Sequence, residues 1–280
     1  MDIYYIDNDF IASGEPVIPV TDLAVLRGFG VFDFLRTYNR VPFHLRDHLL
    51  RLERSAKLLG LPMPRPLSEI GEIVVEGVRR SDHAECNIRL VITGGESADG
   101  ITPGNNPRLL IMITKASALP PESYSKGVRV ITFFQERYLP GAKSINYIPA
   151  IICQREAKSR GAIESIYLDR NGYLLEGTTS NFFVVIGNRV ITPPCDRVLY
   201  GITRQVILDL IRNHMEITER TIHRDELRLA NECFLSSSVR EVTPIIGVDS
   251  ITIGDGIPGP MTKKIMELFR GYTSDYGSSE

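Results

Sequence analysis

Leu45, Leu49, Leu52, Ala56 and Leu59 recur at helical spacing with charged residues between them, which predicts an amphipathic helix. Further helices are expected over 67–80, over about 149–160, in "GITRQVILDLIRNHM", where Ile207, Leu210 and Ile211 share a face, and from about 260. Between them lie strand-like runs: "IYYIDNDFI", "GVFDFLRTY", "CNIRLVITGG", "RLLIMIT", "VRVITFF", "SIYLD", "YLLEG", "NFFVVIG" and "ECFL". "DRNGY" puts an Asn-Gly turn between "SIYLD" and "YLLEG", so those two runs predict a hairpin.

One stretch breaks the pattern. "KASALPPESYSKG", residues 115–127, is rich in Pro, Ser and Gly and reads as a linker between an N-terminal domain (1–114) and a C-terminal domain (128–280). Strands and helices mix on both sides of it, so the expected fold class is α/β with two lobes. The polar end, "SDYGSSE", is expected to fray.

Composition narrows the function. A net charge of −2 and a pI near 6.3 give no electrostatic case for nucleic acid or an anionic membrane surface. No apolar run approaches the roughly 18–20 residues of a membrane-spanning helix. "MDIYYIDNDF" is acidic and lacks the basic start of a secretory signal. Cys86, Cys153, Cys195 and Cys233 form no C-x-x-C pair, so a reduced, cytoplasmic protein is expected. Arginine greatly outnumbers lysine, which occurs only at 57, 115, 126, 143, 158, 263 and 264. Chemistry that needs a deprotonated amine, which arginine cannot supply, therefore has few candidates.

Lys57, Lys158, Lys263 and Lys264 fall on predicted helices with polar neighbours, and Lys115 and Lys126 border the linker. Lys143 stands at a loop-to-helix junction beside Ser144, Asn146 and Tyr147. Two readings of it stand: a surface charge, or a partly desolvated amine competent as a nucleophile. Glu176 closes "YLLEG", either as a solvated hairpin end or as a carboxylate aimed at a buried cation. At roughly 4 Å and an effective dielectric near 20, the second arrangement gains about 4 kcal/mol. That is roughly three pKa units, enough to keep a pyridine nitrogen protonated.

Three features suit a phosphate. Gly201, Ile202 and Thr203 open a helix, Ser237 and Ser238 end a strand, and Arg51 lies off the leucine stripe. Each has an ordinary alternative as a cap, a turn or a surface charge. "RGFGVFDF" contains G-x-G, but Asp33 stands where a dinucleotide fingerprint needs its third glycine, and a strand follows, so a Rossmann reading is rejected. No metal site is expected; His44 and His48 could share a helix face but lack a third ligand.

Taken in order, "RGFGVFDFLRTY", "HLLRLERSAKLLGLP", "KSINY", "EGTTSNFFVV", "GITRQVI" and "LSSSVREVTPI" resemble the class IV aminotransferases, the fold-type IV pyridoxal-phosphate enzymes. The resemblance spans nearly the whole chain. It implies a small N-terminal α/β domain, a larger C-terminal domain with a barrel-like sheet, and pyridoxal 5′-phosphate as cofactor. Lys143 would be the Schiff-base lysine and Glu176 the partner of the pyridine nitrogen. Arg51, Ile202, Thr203, Ser237 and Ser238 would hold the phosphate, and Tyr147 the ring's phenolic oxygen. The family builds its sites between lobes with help from a second subunit, which implies a homodimer. Amino acids and 2-oxo acids would be its small-molecule partners.

The substrate patterns are mixed. The Arg-x-His pair of the best-known D-amino acid aminotransferases has no counterpart in "ESADGITPGN". The branched-chain patterns Phe-x-Gly-x-Arg and Tyr-x-Arg become Phe32-x-Phe34-x-Arg36 and Asn87-x-Arg89. Arg27, Phe32, Arg36 and Arg89 are the candidate substrate-binding residues, a set similar to a less typical group of D-amino acid aminotransferases. The preferred expectation is transfer from a D-amino acid of the D-alanine or D-glutamate type to 2-oxoglutarate. L-branched-chain transamination is the alternative, and 4-amino-4-deoxychorismate lyase comes third.

Overall fold

The computed structural model describes residues 1–12 and 16–277. The chain divides into two compact units, one of residues 1–117, 142–146 and 274–280, the other of 118–141 and 147–273.

Unit 1 is built on strands β1 (Ile3–Ile6), β2 (Asp9–Ala12), β3 (Gly30–Tyr38), β4 (Val41–Pro42), β5 (Cys86–Thr93) and β6 (Arg108–Lys115), with helices α1 (Leu23–Arg27), α2 (Leu45–Leu58) and α3 (Leu67–Arg80). The sheet runs β2-β1-β6-β5-β3-β4, antiparallel throughout. The run "IYYIDNDFI" is two strands, because Asp7 and Asn8 both take positive φ and close a hairpin. On β3, Val31, Asp33, Leu35 and Thr37 share one buried face, while on the other Phe32 is buried and Phe34, Arg36 and Tyr38 are half-buried. Leu49, Leu52 and Ala56 of α2 and Ile70, Val74 and Val78 of α3 join Val31, Leu35, Ile88 and Leu90 in one core.

Two segments outside the expected N-terminal domain belong to this unit. Residues 142–146 lie along β3, with Ile145 N donating to Gly30 O at 3.0 Å and Ser144 bridged to Val31. Near the C-terminus, Tyr276 does not fray. Its ring packs on Phe43, and its hydroxyl accepts from His44 N at 2.8 Å. The last part of the tail, 278–280, lies outside the described residues.

Unit 2 begins where a linker is expected, with a short helix α4 (Pro121–Ser125). Then follow β7 (Val128–Phe134), α5 (Ile148–Ser159), β8 (Glu164–Leu168), β9 (Tyr173–Gly177), β10 (Asn181–Ile186), β11 (Arg189–Thr192), α6 (Ile202–Ile211), β12 (Glu216–Glu219), β13 (Ile222–His223), β14 (Glu232–Ser237), β15 (Glu241–Val248), β16 (Ile251–Thr252) and α7 (Pro260–Ser274), with a 3-10 turn over Arg224–Leu229. Its ten-stranded sheet runs β12-β11-β10-β14-β15-β7-β8-β9-β13, with β16 beside β15, and curls as a barrel-like sheet. The Asn-Gly turn joins β8 to β9, with Gly172 at φ 84°. Helix α6 stops at Ile211, shorter than the pattern suggested. No helix among the described residues is long and apolar enough to cross a membrane.

Candidate functional site

In unit 1 the site grows from α2. Its leucine stripe faces the core, and an adjacent polar stripe (His48, Arg51 and Ser55) is equally buried. The spacing of i, i+3 and i+7 keeps these three on one face. Ser55 Oγ accepts from Lys143 N at 3.1 Å, while Lys143 O accepts from Phe32 N at 2.8 Å. The backbone of Lys143 is thus fixed on both sides, and its Nζ lies 4.7 Å from the centre of the Phe32 ring. All the other lysines are exposed, whereas Lys143 is half-buried.

Arg51 is not a surface charge. It is buried and grips Asp33 with two parallel bonds, Nε to Oδ2 at 2.8 Å and Nη2 to Oδ1 at 2.7 Å. Burial pushes the Asp33 carboxyl up, but the charges and hydrogen bonds of Arg51 and His48 outweigh it and hold Asp33 well below the usual carboxylate range. Burial also lowers His48; Asp33 pulls it the other way, and the Arg51 and Lys143 charges reinforce burial, so the ring is neutral. A neutral ring against a carboxylate carries its proton on Nδ1, which donates to Asp33 Oδ1 at 2.6 Å. Among the described residues, His48 Nε2 is a buried acceptor without a hydrogen-bond partner.

The candidate substrate residues separate. Phe32 and Phe34 lie on the other face of β3, and Arg89 of β5, paired with Phe34, stacks over both rings at 5.3 and 5.0 Å. Arg89 Cζ and Lys143 Nζ share the Phe32 ring and so lie at most about 10 Å apart. Arg89 is exposed. Arg36 stacks on Tyr38 instead. Arg27 is exposed at the end of α1 and donates to Leu26 O.

In unit 2, Glu176 is buried at the end of β9 and accepts from Arg137 Nη1 at 2.9 Å and from Leu199 N at 3.0 Å. Asn181 organises what surrounds it. It pairs with Ser236 across β10 and β14, its Nδ2 donates to Leu199 O at 3.0 Å, and its Oδ1 abuts Gly201 so closely that a Cβ there would overlap it. Glu176, the start of α6 and the end of β14 are therefore brought together. No side chain caps α6, so its first amide groups and Thr203 present donors at a dipole end. Ser237 Oγ accepts from Arg240 N at 3.2 Å, next to Ser238.

Beneath these segments lies Glu164, fully buried. Its carboxylate accepts from Thr178, Thr179, Ser180 and Arg240, all within 2.8 Å. Tyr147 precedes α5. Burial raises the pKa of the Tyr167 hydroxyl, and Tyr147 and Glu176 reinforce that shift while Arg137 opposes it.

Sequence reasoning missed Asp33, His48, Arg137, Glu164 and Asn181. Two had a signal. Asp33 occupies an inward position of an alternating strand, and His48 precedes Arg51 by three on a helix, so each needed a buried partner. Arg137 had none, being a loop arginine among many.

The family model described as amino-transferase class IV matches residues 30–248. The chain is 31% identical to the branched-chain-amino-acid aminotransferase of Escherichia coli over 98% of its own length and 95% of that protein's. It is 31% identical to the D-alanine aminotransferase of Bacillus licheniformis, covering 90% of each. The solved structure of the T.th. branched-chain amino acid aminotransferase complexed with N-(5′-phosphopyridoxyl)-L-glutamate superposes with a TM-score of 0.91 at 28% identity, over 97% of this chain and 94% of that one.

Proposed function

We propose that this chain, which belongs to the class IV aminotransferases and is a pyridoxal 5′-phosphate-dependent transaminase, moves the amino group of an L-branched-chain amino acid to a 2-oxo acid such as 2-oxoglutarate. The observation that carries the chemistry is Lys143, the one half-buried lysine, with its backbone fixed between Ser55 and β3. The substrate reading rests on relatives named for branched-chain activity, which reverses the order the sequence patterns suggested.

The donors present fit the cofactor. In unit 2 the start of α6 with Ile202 and Thr203 and the hydroxyls of Ser237 and Ser238 suit a phosphate dianion, and the family resemblance assigns it Arg51 as well. Gly201 lets Asn181 Oδ1 pack directly against the backbone that leads into that helix end. Buried Glu176 suits a pyridinium nitrogen, and Tyr147 a phenolic oxygen. When bound, the cofactor supplies an aldehyde that exchanges amines and a ring that draws electrons from the substrate α-carbon. Lys143 Nζ takes the proton from that carbon, held beside the Phe32 ring at 4.7 Å. Arg137 and the Leu199 amide fix the direction of the Glu176 carboxylate.

A second reading, a D-amino acid donor, is favoured by one observation. Phe34, which stands where the branched-chain pattern has glycine, gives Arg89 a stacking platform and so fixes a cation for a second carboxylate. Arg27 would add to that grip. Comparing D-alanine, D-glutamate, L-leucine and L-valine as donors to 2-oxoglutarate decides between the readings, and L-leucine turnover below that of D-alanine overturns the first.

The protein works as a homodimer in this reading. Tyr138, Ile148, Ile151 and Ile152 expose apolar surface that a second copy would cover. Four free thiols, three of them buried, suit the reducing cytoplasm.

A further inference from the structure

Unit 2 holds a second concave region that shares no residue with the candidate site. It is an open pocket of about 560 Å³ beside the start of β7, within the range of about 300–1,000 Å³ usual for small-molecule sites. Three arginines line it (Arg129, Arg160 and Arg224), with Thr132, Asp249 and Ser250 adding polar groups.

The charges there are not balanced. Most arginines of this chain pair with a carboxylate, but among the described residues neither Arg129 nor Arg224 does. Arg160 shares Glu156 along its own helix. Asp249 is the acidic residue in the lining, and its two oxygens accept from Thr132 N at 2.9 Å and Thr132 Oγ1 at 2.7 Å.

Arg129 is also held in place. Its guanidinium lies against Gly247, where a Cβ would meet Nη1 at 2.6 Å, and its Nη2 donates to Asp249 O at 2.7 Å. A guanidinium held in one orientation loses less freedom when it takes an oxyanion, and its planar fork matches phosphate or carboxylate oxygens. Among the described residues no aromatic side chain lines the pocket, so none there would stack a nucleobase.

We propose that this pocket binds a small oxyanion carrying at least two negative charges, a phosphate ester or a polycarboxylate, with Arg129 and Arg224 as its principal ligands. Calorimetric titration of the holoenzyme, whose cofactor phosphate is already in place, tests this with inorganic phosphate and, separately, with citrate. One saturable site per chain is expected. Removing one charge-assisted contact should weaken it roughly tenfold or more in Arg129→Ala and in Arg224→Ala. Arg189→Ala, on β11 and paired with Glu216, should bind as the unaltered protein does. The stronger of the two probes identifies the source of the anion. Absence of saturable binding by both probes, an affinity unchanged from the unaltered protein in either pocket variant, or binding accompanied by loss of the cofactor's absorbance would each overturn the proposal.

Discussion

Asp33→Asn replaces one oxygen with an amide and leaves the side chain nearly the same size. Asp33 accepts the double bond from Arg51, the bond from His48 Nδ1 at 2.6 Å and that from its neighbour Phe34 N at 2.7 Å. The amide is neutral and must turn one N–H toward a donor, so the buried Arg51 cation loses the double bond to Asp33. Breaking one side of a buried pair costs about 3–5 kcal/mol. At about 2–4 °C per kcal/mol for chains of this order, the melting temperature should fall by roughly 6–20 °C. Asp33→Leu with Arg51→Met, which removes both charges, should lose less than Asp33→Asn alone. Acid gives an independent check. The folded carboxyl is depressed, so its contribution is whole above the unfolded value near about 3.9 and is lost as pH falls from there toward the folded value. Scanning calorimetry from neutral pH down should show wild type and Asp33→Asn converging in that window. A melting temperature within about 2 °C of wild type at neutral pH would refute the reasoning, because a buried guanidinium stripped of this carboxylate cannot cost so little.

Lys143→Ala should abolish turnover and the absorbance of lysine-bound cofactor, since the other lysines are exposed; normal turnover in the coupled assay would remove Lys143 from its role. Glu176→Gln should keep cofactor bound yet slow the half-reaction, because a neutral amide does not stabilise a protonated pyridine, and stopped-flow spectra measure this directly. Arg89→Ala should raise the apparent KM for glutamate more than for alanine, by roughly ten- to a hundredfold, with the cofactor spectrum intact; equal losses on both substrates would make Arg89 structural. Gly201→Ala should weaken cofactor affinity by pressing a methyl group on Asn181, read as faster loss of absorbance on dialysis.

Much of this protein is local and so could be read along the chain. The leucine stripe of α2 and the alternation of β3 are periodicities, and the Asn-Gly turn needs only the backbone preference of glycine at 172. Lys143 emerged for a related reason, because one lysine away from polar helix faces stands out where lysine is rare. Contacts distant in sequence could not be read that way. Residues 142–146 come after the expected linker yet complete the sheet edge of unit 1, because Gly30 and Phe32 had unpaired backbone groups to offer them. The neutrality of His48 arises from its burial, and the depression of Asp33 from Arg51 and His48 outweighing burial, over separations of 15 and 18 residues. Arg137 reaches Glu176 across 39 residues, and Arg240 reaches Glu164 across 76. Periodicity records which face of an element is buried, whereas the partner of a buried charge depends on which faces meet, and that is decided only when the sheets form.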